Sequence, residues 1–470
     1  MHKVPIVCQK KEKNTYFCRK SKPTDNVTTM HFPQLSLLLM VPMTLCSLLL
    51  STHACAQKSV TEIMRLASDG NSEAQYDLGC LLLFGNGVPQ DSAKAIKYLT
   101  LSADAGYAKA QNAMGWAYRD GDGVEKNLEK AVAYFEKAAR QGDVEAMEQL
   151  GELYDDINNP FWSGSQSKEW YKRAAEAGSE KARVKVALNK LSSYSKKDEQ
   201  EEGLKELLDL ADGGNTDAMV EMGHAYFDGR GPVSQDRKAA VGYYLRAAEA
   251  GNSRGMMCMG TCYRDGKGVP MDSKEMTRWF ARAAEADNAN GMYFYANSLA
   301  GGYGCQKDLA EAWTWYERGA QKGEDRCLTQ MGEWLLKGTN GTKNVQKGIA
   351  YLRQALEKRN GKAARLLGEC YRDGVGVKKS MEKAREMWTL AYEYQDRTGA
   401  ELLAHALEDY GEELGKKAHS EADHQKAQEC FSRATSIWHD IVRWHDEDQP
   451  LPVKENPDTG DYETDEYLTY

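Results

Sequence analysis

The sequence predicts an all-α protein: a right-handed superhelix, or α-solenoid, of about ten antiparallel helix pairs. Three observations predict this fold. A small residue returns about every 36 residues, a glycine-rich loop returns with the same period, and a Ser, Asp or Asn suited to start a helix follows the loop. One pair of short helices cannot bury its own apolar face, and successive pairs therefore have to stack on one another.

The small residue lies in the first helix of each pair. In the copy at residues 110–118, Ala110, Met114 and Tyr118 are four residues apart and share one face of the helix. The interval between small residues is 36, except for one interval of 37 before the sixth position. The ten positions are Gly79, Gly115, Gly151, Ala187, Gly223, Gly260, Ala296, Gly332, Gly368 and Ala404. An interval this constant identifies a tandem repeat.

The loops after the first helices contain two glycines one residue apart, as in FGNGVPQD at residues 84–91. Such glycines also begin a phosphate-binding loop, but neither the Lys-Ser/Thr pair nor the preceding strand of that motif is present. We interpret the loops as helix-to-helix turns in which glycine adopts a positive φ. The predicted N-cap residues of the second helices are Asp91, Asn127, Ser163, Asp236, Asp272, Asp308, Asn344 and Ser380. The glycines predicted to end the second helices are Gly106, Gly142, Gly178, Gly214, Gly251 and Gly323.

Residues 110–143, AQNAMGWAYRDGDGVEKNLEKAVAYFEKAARQGD, resemble a Sel-one-like repeat, a relative of the tetratricopeptide repeat. The resemblance covers about residues 60–410. It implies that the first helices line the concave side of the solenoid and that the protein is a non-catalytic scaffold. Two copies depart from the pattern: DDINNPFWSGSQ replaces the glycine loop at residues 155–166, and residues 187–213 carry a charged second helix without the aromatic pair. We expect the helices to remain there, with looser or bent stacking.

The N-terminal residues 1–56 are predicted to be a secretory signal that is removed. Seven Lys or Arg residues precede the apolar run LSLLLMVPMTLCSLLL at residues 35–50. Sixteen helical residues span about 24 Å, less than the roughly 30 Å of a bilayer core. The sequence ACA at residues 54–56 fits a cleavage site before Gln57. We therefore expect an exported protein, periplasmic or secreted, with Met30 as an alternative start and an uncleaved membrane anchor at residues 35–50 as the alternative to cleavage.

The repeat region is predicted to occupy residues 57–444. It ends in a capping helix that begins near Ser420 and continues to about Trp444. Residues 445–470 carry nine Asp or Glu residues against the single Lys454, together with prolines and three tyrosines. This composition predicts an acidic, disordered tail.

The sequence predicts no catalytic, cofactor-binding or metal site. A formal net charge of −9 argues against a broad nucleic-acid-binding surface. Cys258 and Cys262 lie one helical turn apart, but no second pair completes a metal site, so buried thiols are the preferred interpretation. The histidines show no metal-ligand spacing, and no Ser-His-acid arrangement can be identified.

The surface of the first helices opposite to the buried stripe is the remaining candidate for function. The predicted partner-binding residues are Tyr76, Asn112, Trp116, Arg119, His224, Phe227, Arg264, Tyr293, Arg365 and Arg372. Among them, exposed rings at Trp116, Phe227 or Tyr293 are candidate hot spots. The alternative is that these rings pack between neighbouring repeats. We interpret the recurrent Tyr-Arg-Asp triplet, as at residues 118–120, as packing by the tyrosine and bracing of the loop by the Arg and Asp.

The sequence therefore predicts an exported scaffold that binds another protein or a peptide in its concave groove, without a cofactor or nucleic acid. A rigid groove avoids the ordering cost that a flexible binder incurs. A membrane contact is expected only through the N-terminal segment if it is not cleaved. Two alternatives stay open: a cell-envelope enzyme acting on peptidoglycan-type material, which would need an acid–base pair that the sequence does not display, and a structural spacer without a specific partner.

Overall fold

The structure is a computed structural model and describes residues 8–11, 15–18 and 59–447, apart from residues 158, 193–194 and 342. The predicted signal cleavage site, the apolar run at residues 35–50 and the acidic tail after residue 447 lie outside the described residues. Strand β1 (Cys8–Lys11) pairs antiparallel with strand β2 (Thr15–Cys18). This hairpin belongs to a compact unit, Met1–Ala54, that is distinct from the unit Cys55–Tyr470 in which the repeats lie.

Twenty-one α-helices form the described part of the second unit, with a short 3₁₀ turn at Thr339–Gly341. Helix α1 (Val60–Ser68) precedes the repeats. The first helices of the ten pairs are α2 (Ser72–Phe84), α4 (Ala108–Asp120), α6 (Val144–Asp155), α8 (Glu180–Lys190), α10 (Thr216–Asp228), α12 (Ser253–Asp265), α14 (Ala289–Gly301), α16 (Asp325–Lys337), α18 (Gly361–Asp373) and α20 (Arg397–Lys417). The second helices are α3 (Ser92–Asp104), α5 (Leu128–Arg140), α7 (Gly164–Glu176), α9 (Lys197–Asp212), α11 (Arg237–Glu249), α13 (Ser273–Glu285), α15 (Leu309–Gln321), α17 (Val345–Glu357), α19 (Met381–Glu393) and α21 (Glu421–Glu447). The predicted all-α solenoid of about ten helix pairs is confirmed.

Close packing inside each pair explains the periodic small residue. Each first helix contacts its own second helix and the second helix of the preceding pair. A Cβ atom added to Gly115 would lie 2.6 Å from the ring of Phe135, and one added to Gly260 would lie 2.4 Å from the ring of Phe280. Both rings are fully buried. The small residue is therefore the place where the first helix receives the largest core side chain of the second helix.

The glycine loops are turns, as predicted. In the loop between α12 and α13, Gly266 and Gly268 have φ angles of 70° and 78°. The carboxylate of Asp272 accepts hydrogen bonds from two backbone N–H groups at the start of α13. A Cβ atom on Gly268 would lie 2.3 Å from the carbonyl oxygen of Arg237, so this glycine also permits close contact with the preceding repeat. All eight predicted N-cap residues of the second helices make such caps.

The first helices begin at N-cap residues that were not predicted, and several of these residues bind the preceding repeat. Asn252 caps α12 with its Oδ1 atom, while its Nδ2 atom donates to Thr216 Oγ1 at 3.0 Å and to Asp217 Oδ1 at 2.9 Å. Equivalent bonds join Asn215 to Glu180, Asn288 to Ser253 and Asn360 to Asp325. One side chain thus starts a helix and ties it to the first helix before it.

The predicted glycines at the ends of the second helices all have a positive φ. Three other residues occupy the same position of the repeat with φ angles of 58–65°: Asp287, Arg359 and Gln395. A left-handed conformation costs a residue other than glycine roughly 1–2 kcal/mol. The geometry of the repeat therefore imposes this turn even where the sequence provides no glycine.

Both departing copies keep their helices, as expected. In the loop at residues 156–163, the N–H group of Ser163 still donates to the carbonyl of Tyr154 at 2.9 Å, as the equivalent residue does in the glycine loops. Ile157 and Trp162 in this loop are 76% and 57% exposed. In α9, the fully buried Leu207 fills the position that an aromatic ring holds in most other second helices.

The last two helices are longer than the repeat helices. Helix α21 corresponds to the capping helix that was predicted from near Ser420 to about Trp444, and it packs along α20. Its buried residues are Ala427, Ala434, Ile437 and Ile441, while Phe431 and Val442 remain exposed. Helix α21 is therefore apolar towards the solenoid and largely polar towards solvent, as a terminal helix has to be.

Candidate partner-binding face

The candidate site is the inner face, defined here as the surface formed by the first helices α2 to α18 where successive first helices lie side by side. Successive first helices approach one another, for example α10 and α12, as expected on the concave side of a solenoid. Ion pairs connect them across this face: Lys181 of α8 lies 2.6 Å from Glu152 of α6, and Lys362 of α18 lies 2.7 Å from Glu333 of α16. The inner face is thus lined by charged and polar side chains that join neighbouring repeats.

Asn112 and Trp116 were predicted to bind a partner, which requires exposed side chains, but both side chains are buried. They are only 4% and 6% exposed. Asn112 Nδ2 donates to a carboxylate oxygen of Glu145 on α6 at 3.1 Å, and the Trp116 ring packs edge-on against Phe135 with a centroid distance of 6.2 Å. The expected exposure is therefore wrong for these two residues, because the start of α6 covers this part of α4. Trp116 follows the alternative in which the ring packs inside the solenoid.

Arg119 covers the buried tryptophan from the solvent side. Its guanidinium lies 3.8 Å from the ring centroid of Trp116, and its Nη1 atom donates to Gln149 on α6 at 2.7 Å. Its Nε atom donates to the neighbouring Asp120 at 2.8 Å. The other two triplets form the same pair, Arg264 with Asp265 and Arg372 with Asp373. The Arg and Asp of the triplet therefore bind each other where the loop begins.

His224 and Phe227 lie half-buried on α10. The Nδ1 atom of His224 and the hydroxyl oxygen of Tyr244 share a hydrogen bond of 2.9 Å. Burial lowers the pKa of His224, so its imidazole is neutral at pH 7. Two cations lie near the Phe227 ring: the Arg237 guanidinium and the Lys267 ammonium are each 5.9 Å from its centroid.

Two arginines from different repeats converge on adjacent rings of α14. Arg326 of α16 lies 4.5 Å from the ring centroid of Tyr293 and 5.1 Å from that of Phe294. Arg264 of α12 lies 5.7 Å from the centroid of Phe294. We call Phe227, Arg264, Tyr293, Phe294 and Arg326 the aromatic–arginine strip. It extends over the four first helices α10, α12, α14 and α16.

Phe294 and Arg326 were not among the predicted residues. Each takes a position of its first helix next to a predicted one. The contacts that bring Phe294 and Arg326 into the strip join different repeats. The repeat pattern could have indicated Arg326. It is the second residue of its first helix, and the residues at the same position of two other first helices, Arg254 and Lys362, form ion pairs with the preceding repeat.

The other predicted residues lie apart from the strip. Half-buried Tyr76 contacts Tyr107 with a centroid distance of 5.5 Å, and burial raises its pKa. Arg365 lies 2.8 Å from Glu369 and 3.1 Å from Asp396 near the C-terminal end of the solenoid. Arg372 is one turn beyond Glu369 on the same helix. The structure therefore brings Arg264 and Tyr293 together at Phe294, places Phe227 and His224 on the neighbouring first helix α10, and separates the rest.

Three of the seven cysteines in the repeat region have the environment of core residues, and the other four are partly buried. The seven cysteines between residues 59 and 447 form no disulfide, and Cys262, Cys327 and Cys370 are buried. Burial raises the pKa values of Cys258 and Cys262 to about 12, so both are protonated at neutral pH. Among the residues that the structure describes, no three His, Cys, Asp or Glu side chains group as a metal site requires. In the same residues, every helix is too short or too polar to cross a bilayer.

Nine segments of the chain match the model of the Sel1 repeat: residues 72–107, 108–143, 144–179, 216–252, 253–288, 289–324, 326–360, 361–393 and 404–436. The chain therefore belongs to the Sel1 repeat family, as its resemblance to Sel-one-like repeats implied. The charged copy between residues 180 and 215 is outside the matched segments. Sel1 repeat proteins generally mediate protein–protein interactions, and Sel1 and tetratricopeptide-like repeat proteins are typically non-catalytic scaffolds.

Solved structures of the same kind are similar over much of the chain. A protective antigen of uropathogenic Escherichia coli with an SLR fold is 25% identical, with 83% of this chain and 74% of the antigen covered and a TM-score of 0.41. A Sel1 repeat protein from Oxalobacter formigenes is 26% identical, with 55% of this chain and 89% of that protein covered and a TM-score of 0.37. A comparison with curated proteins finds no match.

Proposed function

We propose that the chain is a non-catalytic scaffold that binds another protein or a peptide on its inner face. The observation that carries this proposal is the aromatic–arginine strip, in which Arg264 and Arg326 lie over the rings of α14. Aromatic and arginine side chains dominate the binding energy of protein interfaces, especially where they are clustered and partly desolvated. The strip combines both residue types on a rigid support of four helices.

The chemistry of the strip favours a partner segment with carboxylate and apolar side chains. Arg264 and Arg326 already bind carboxylates of their own chain, Asp265 at 2.6 Å and Glu324 at 2.7 Å. A partner carboxylate would accept hydrogen bonds from the remaining guanidinium N–H groups, while an apolar side chain would cover the half-buried ring of Tyr293. Because the arginines are already held over the rings, binding costs little side-chain entropy.

We further propose that the protein is exported and meets its partner in the periplasm or outside the cell. The basic start, the apolar run at residues 35–50 and the ACA sequence at residues 54–56 support export. The intact mass of the exported protein tests this: we expect a chain that begins at Gln57. A retained N-terminal segment would instead support the membrane anchor.

The binding proposal is tested by the double variant Arg264→Ala/Tyr293→Ala, compared with the original protein in affinity capture from the exported fraction of its cells. We expect captured partners, quantified by mass spectrometry, to fall at least about 10-fold, which corresponds to roughly 1.4 kcal/mol of lost binding energy. Circular dichroism should show unchanged helicity. Trp116 is unsuitable for this test, because truncating a buried ring weakens the fold itself.

The matched control is Tyr243→Ala/Arg246→Ala on the second helix α11, where the guanidinium lies 5.4 Å from the tyrosine ring. It removes the same two residue types from a helix that does not line the inner face. We expect it to capture the same partners as the original protein. Equal capture by both double variants would contradict the assignment of the inner face, and background capture by the original protein would support a spacer without a partner.

A further inference from the structure

Positive charge is concentrated near the C-terminal end of the solenoid. Residues 338–385 contain twelve Lys or Arg residues against four Asp or Glu residues, a net charge of +8 in a chain whose net charge is −9. Because opposite charges are mixed along most of the other repeats, this segment stands out. Its basic side chains are not spread evenly: the loops at both ends of α17 and before α19 carry most of the lysines.

Two neighbouring loops and the first turns of the helices that follow them, α17 and α19, form the lysine edge, defined as Lys343, Lys347, Lys378, Lys379 and Lys383. The Nε2 atom of Gln346 donates to the carbonyl of Gly376 at 3.0 Å and joins the first turn of α17 to the loop before α19. All five lysines are exposed. Within the part of the chain that the structure describes, the only ion pair of Lys347 is a 3.9 Å contact with Glu317, and Lys343, Lys378 and Lys383 make no ion pair. The ammonium groups of Lys347 and Lys383 also lie 5.5 Å and 5.6 Å from the ring centroids of Tyr351 and Tyr371. The lysine edge therefore presents an excess of positive charge to solvent.

The structure places the start of the acidic tail at the C-terminal end of α19, the helix whose first turn carries Lys383. Near its C-terminal end, α21 packs against α19: the hydroxyl of Tyr392 donates to Asp440, and the rings of Tyr392 and Trp444 lie 5.7 Å apart. Nine helical residues separate Tyr392 from Lys383, a distance of about 14 Å along α19. The 23 residues after Glu447 reach up to about 75 Å when extended. The tail is therefore long enough to return along α19 to the lysine edge.

We infer that residues 448–470 of the same chain dock on the lysine edge. These residues carry seven Asp or Glu side chains against Lys454, a net charge of −6 that complements the five lysines. Covalent attachment raises the effective concentration of the tail at the edge to about the millimolar range, so weak ion pairs are sufficient for occupancy. The contact is electrostatic and needs no folding of the tail. The contact lies on the lysine edge, outside the inner face. It is therefore separate from the proposed partner binding.

Zero-length cross-linking of the full chain with a carbodiimide tests this inference, because it joins an amine to a carboxylate only when the two are in contact. Peptide mapping should find links from the lysine edge to carboxylates of residues 448–470 at low salt, and their yield should fall at least about 5-fold in 0.5 M NaCl. As a second measurement, digestion at glutamates of the tail should be at least about 3-fold faster in the variant Lys343→Gln/Lys378→Gln/Lys379→Gln/Lys383→Gln.

The matched control is Lys97→Gln/Lys168→Gln/Lys205→Gln/Lys238→Gln, which removes the same charge from exposed lysines of other second helices. It should leave tail links and digestion unchanged. Links that are no more frequent at the lysine edge than at the control lysines would overturn the inference. Links formed between differently isotope-labelled chains would show that the tail docks on the lysine edge of a second copy, and would overturn docking within one chain. Unchanged digestion together with lost binding to anionic vesicles in the first variant would assign the edge to a membrane surface.

Discussion

Gly260 of α12 shows how a single atom sets the distance between two helices. A Cβ atom at this position would lie 2.4 Å from the buried ring of Phe280, closer than any real contact permits. Alanine would therefore force the ring or the helix to move, even though alanine is the better helix former. The helix-propensity gain of about 1 kcal/mol opposes this steric cost but does not remove it.

We expect Gly260→Ala to lower the free energy of unfolding by about 1–3 kcal/mol, as overpacked cores do. Gly242→Ala on α11 is the matched control, because a Cβ atom there meets nothing within 4 Å. It should raise stability by about 0.5–1 kcal/mol through helix propensity alone. Urea unfolding followed by circular dichroism measures both. Shifts of the same sign in the two variants would contradict the assigned role of the periodic glycine.

The pKa of His224 gives the solenoid a pH-dependent element. Burial lowers this pKa below its usual 6.5, so the unfolded chain binds a proton at a pH where the folded chain does not. Stability is therefore fully present above pH 6.5 and is lost as the pH falls from 6.5 towards the lowered pKa. Glu221 opposes this shift, while Arg254 and Arg230 add to it.

We expect the melting temperature of the original protein to fall more than that of His224→Gln when the pH is changed from 7.5 to 5.5. Carboxylates that titrate in this range affect both proteins equally, so the difference between them isolates the imidazole. Differential scanning calorimetry at the two pH values provides the measurement. An identical fall in both proteins would mean that His224 is not buried in its neutral form.

The start of each first helix is an element with two functions. Asn252 caps α12 and also donates to Thr216 and Asp217 of α10, so it stabilises one helix and the contact between two repeats. A serine at this position can still accept the capping bond, but its single hydroxyl cannot replace both bonds from the Asn252 amide to Thr216 and Asp217. We expect Asn252→Ser to cost about 1 kcal/mol and Asn252→Ala about 2 kcal/mol, measured by urea unfolding. Equal costs would show that only the cap matters.

The sequence predicted the second-helix caps and the loops because their determinants are local. Asp272 and its counterparts follow the glycines within a few residues, and a turn needs no information from other repeats. The burial of Trp116 could not be predicted from the local sequence. Its position on the helix is opposite to Met114, but the neighbouring helix α6 covers it, and only the rotation between repeats decides how far that cover extends. Exposure on the inner face is therefore a property of two or three repeats together.

The same reasoning explains the candidate site. Phe227, Arg264 and Tyr293 were predicted individually, each from its own repeat, and they contribute to one strip because α10, α12 and α14 are neighbours. Arg326 and Phe294 were missed, because the contact that reveals them crosses from α16 to α14. The repeat period and the helix geometry predict which side chains share a face of each first helix. Contacts between side chains of different first helices can be identified only in the structure.

At the scale of the whole molecule, stability depends on the contacts between neighbouring repeats, since each repeat touches only the next. The copy formed by α8 and α9 is the one that departs most from the pattern. Its second helix buries Leu207 where Tyr244 and Phe280 lie in the following repeats, and Lys190 forms ion pairs with Glu202 and Glu206 across its surface. Exposed ion pairs stabilise by less than about 1 kcal/mol each, less than a buried ring.

We therefore expect α8 and α9 to open more readily than the interior repeats around them. In hydrogen–deuterium exchange of the folded protein, their amides should exchange at least about 10-fold faster than those of α12 and α13, because the local free energy of opening is lower by about 1–2 kcal/mol. Leu207→Ala should extend fast exchange to α7 and α10, which pack against this pair. Protection of α8 and α9 equal to that of α12 and α13 would contradict the looser stacking inferred from their sequence. Faster exchange confined to α9 in Leu207→Ala would show that the repeats are less coupled than their nearest-neighbour packing implies.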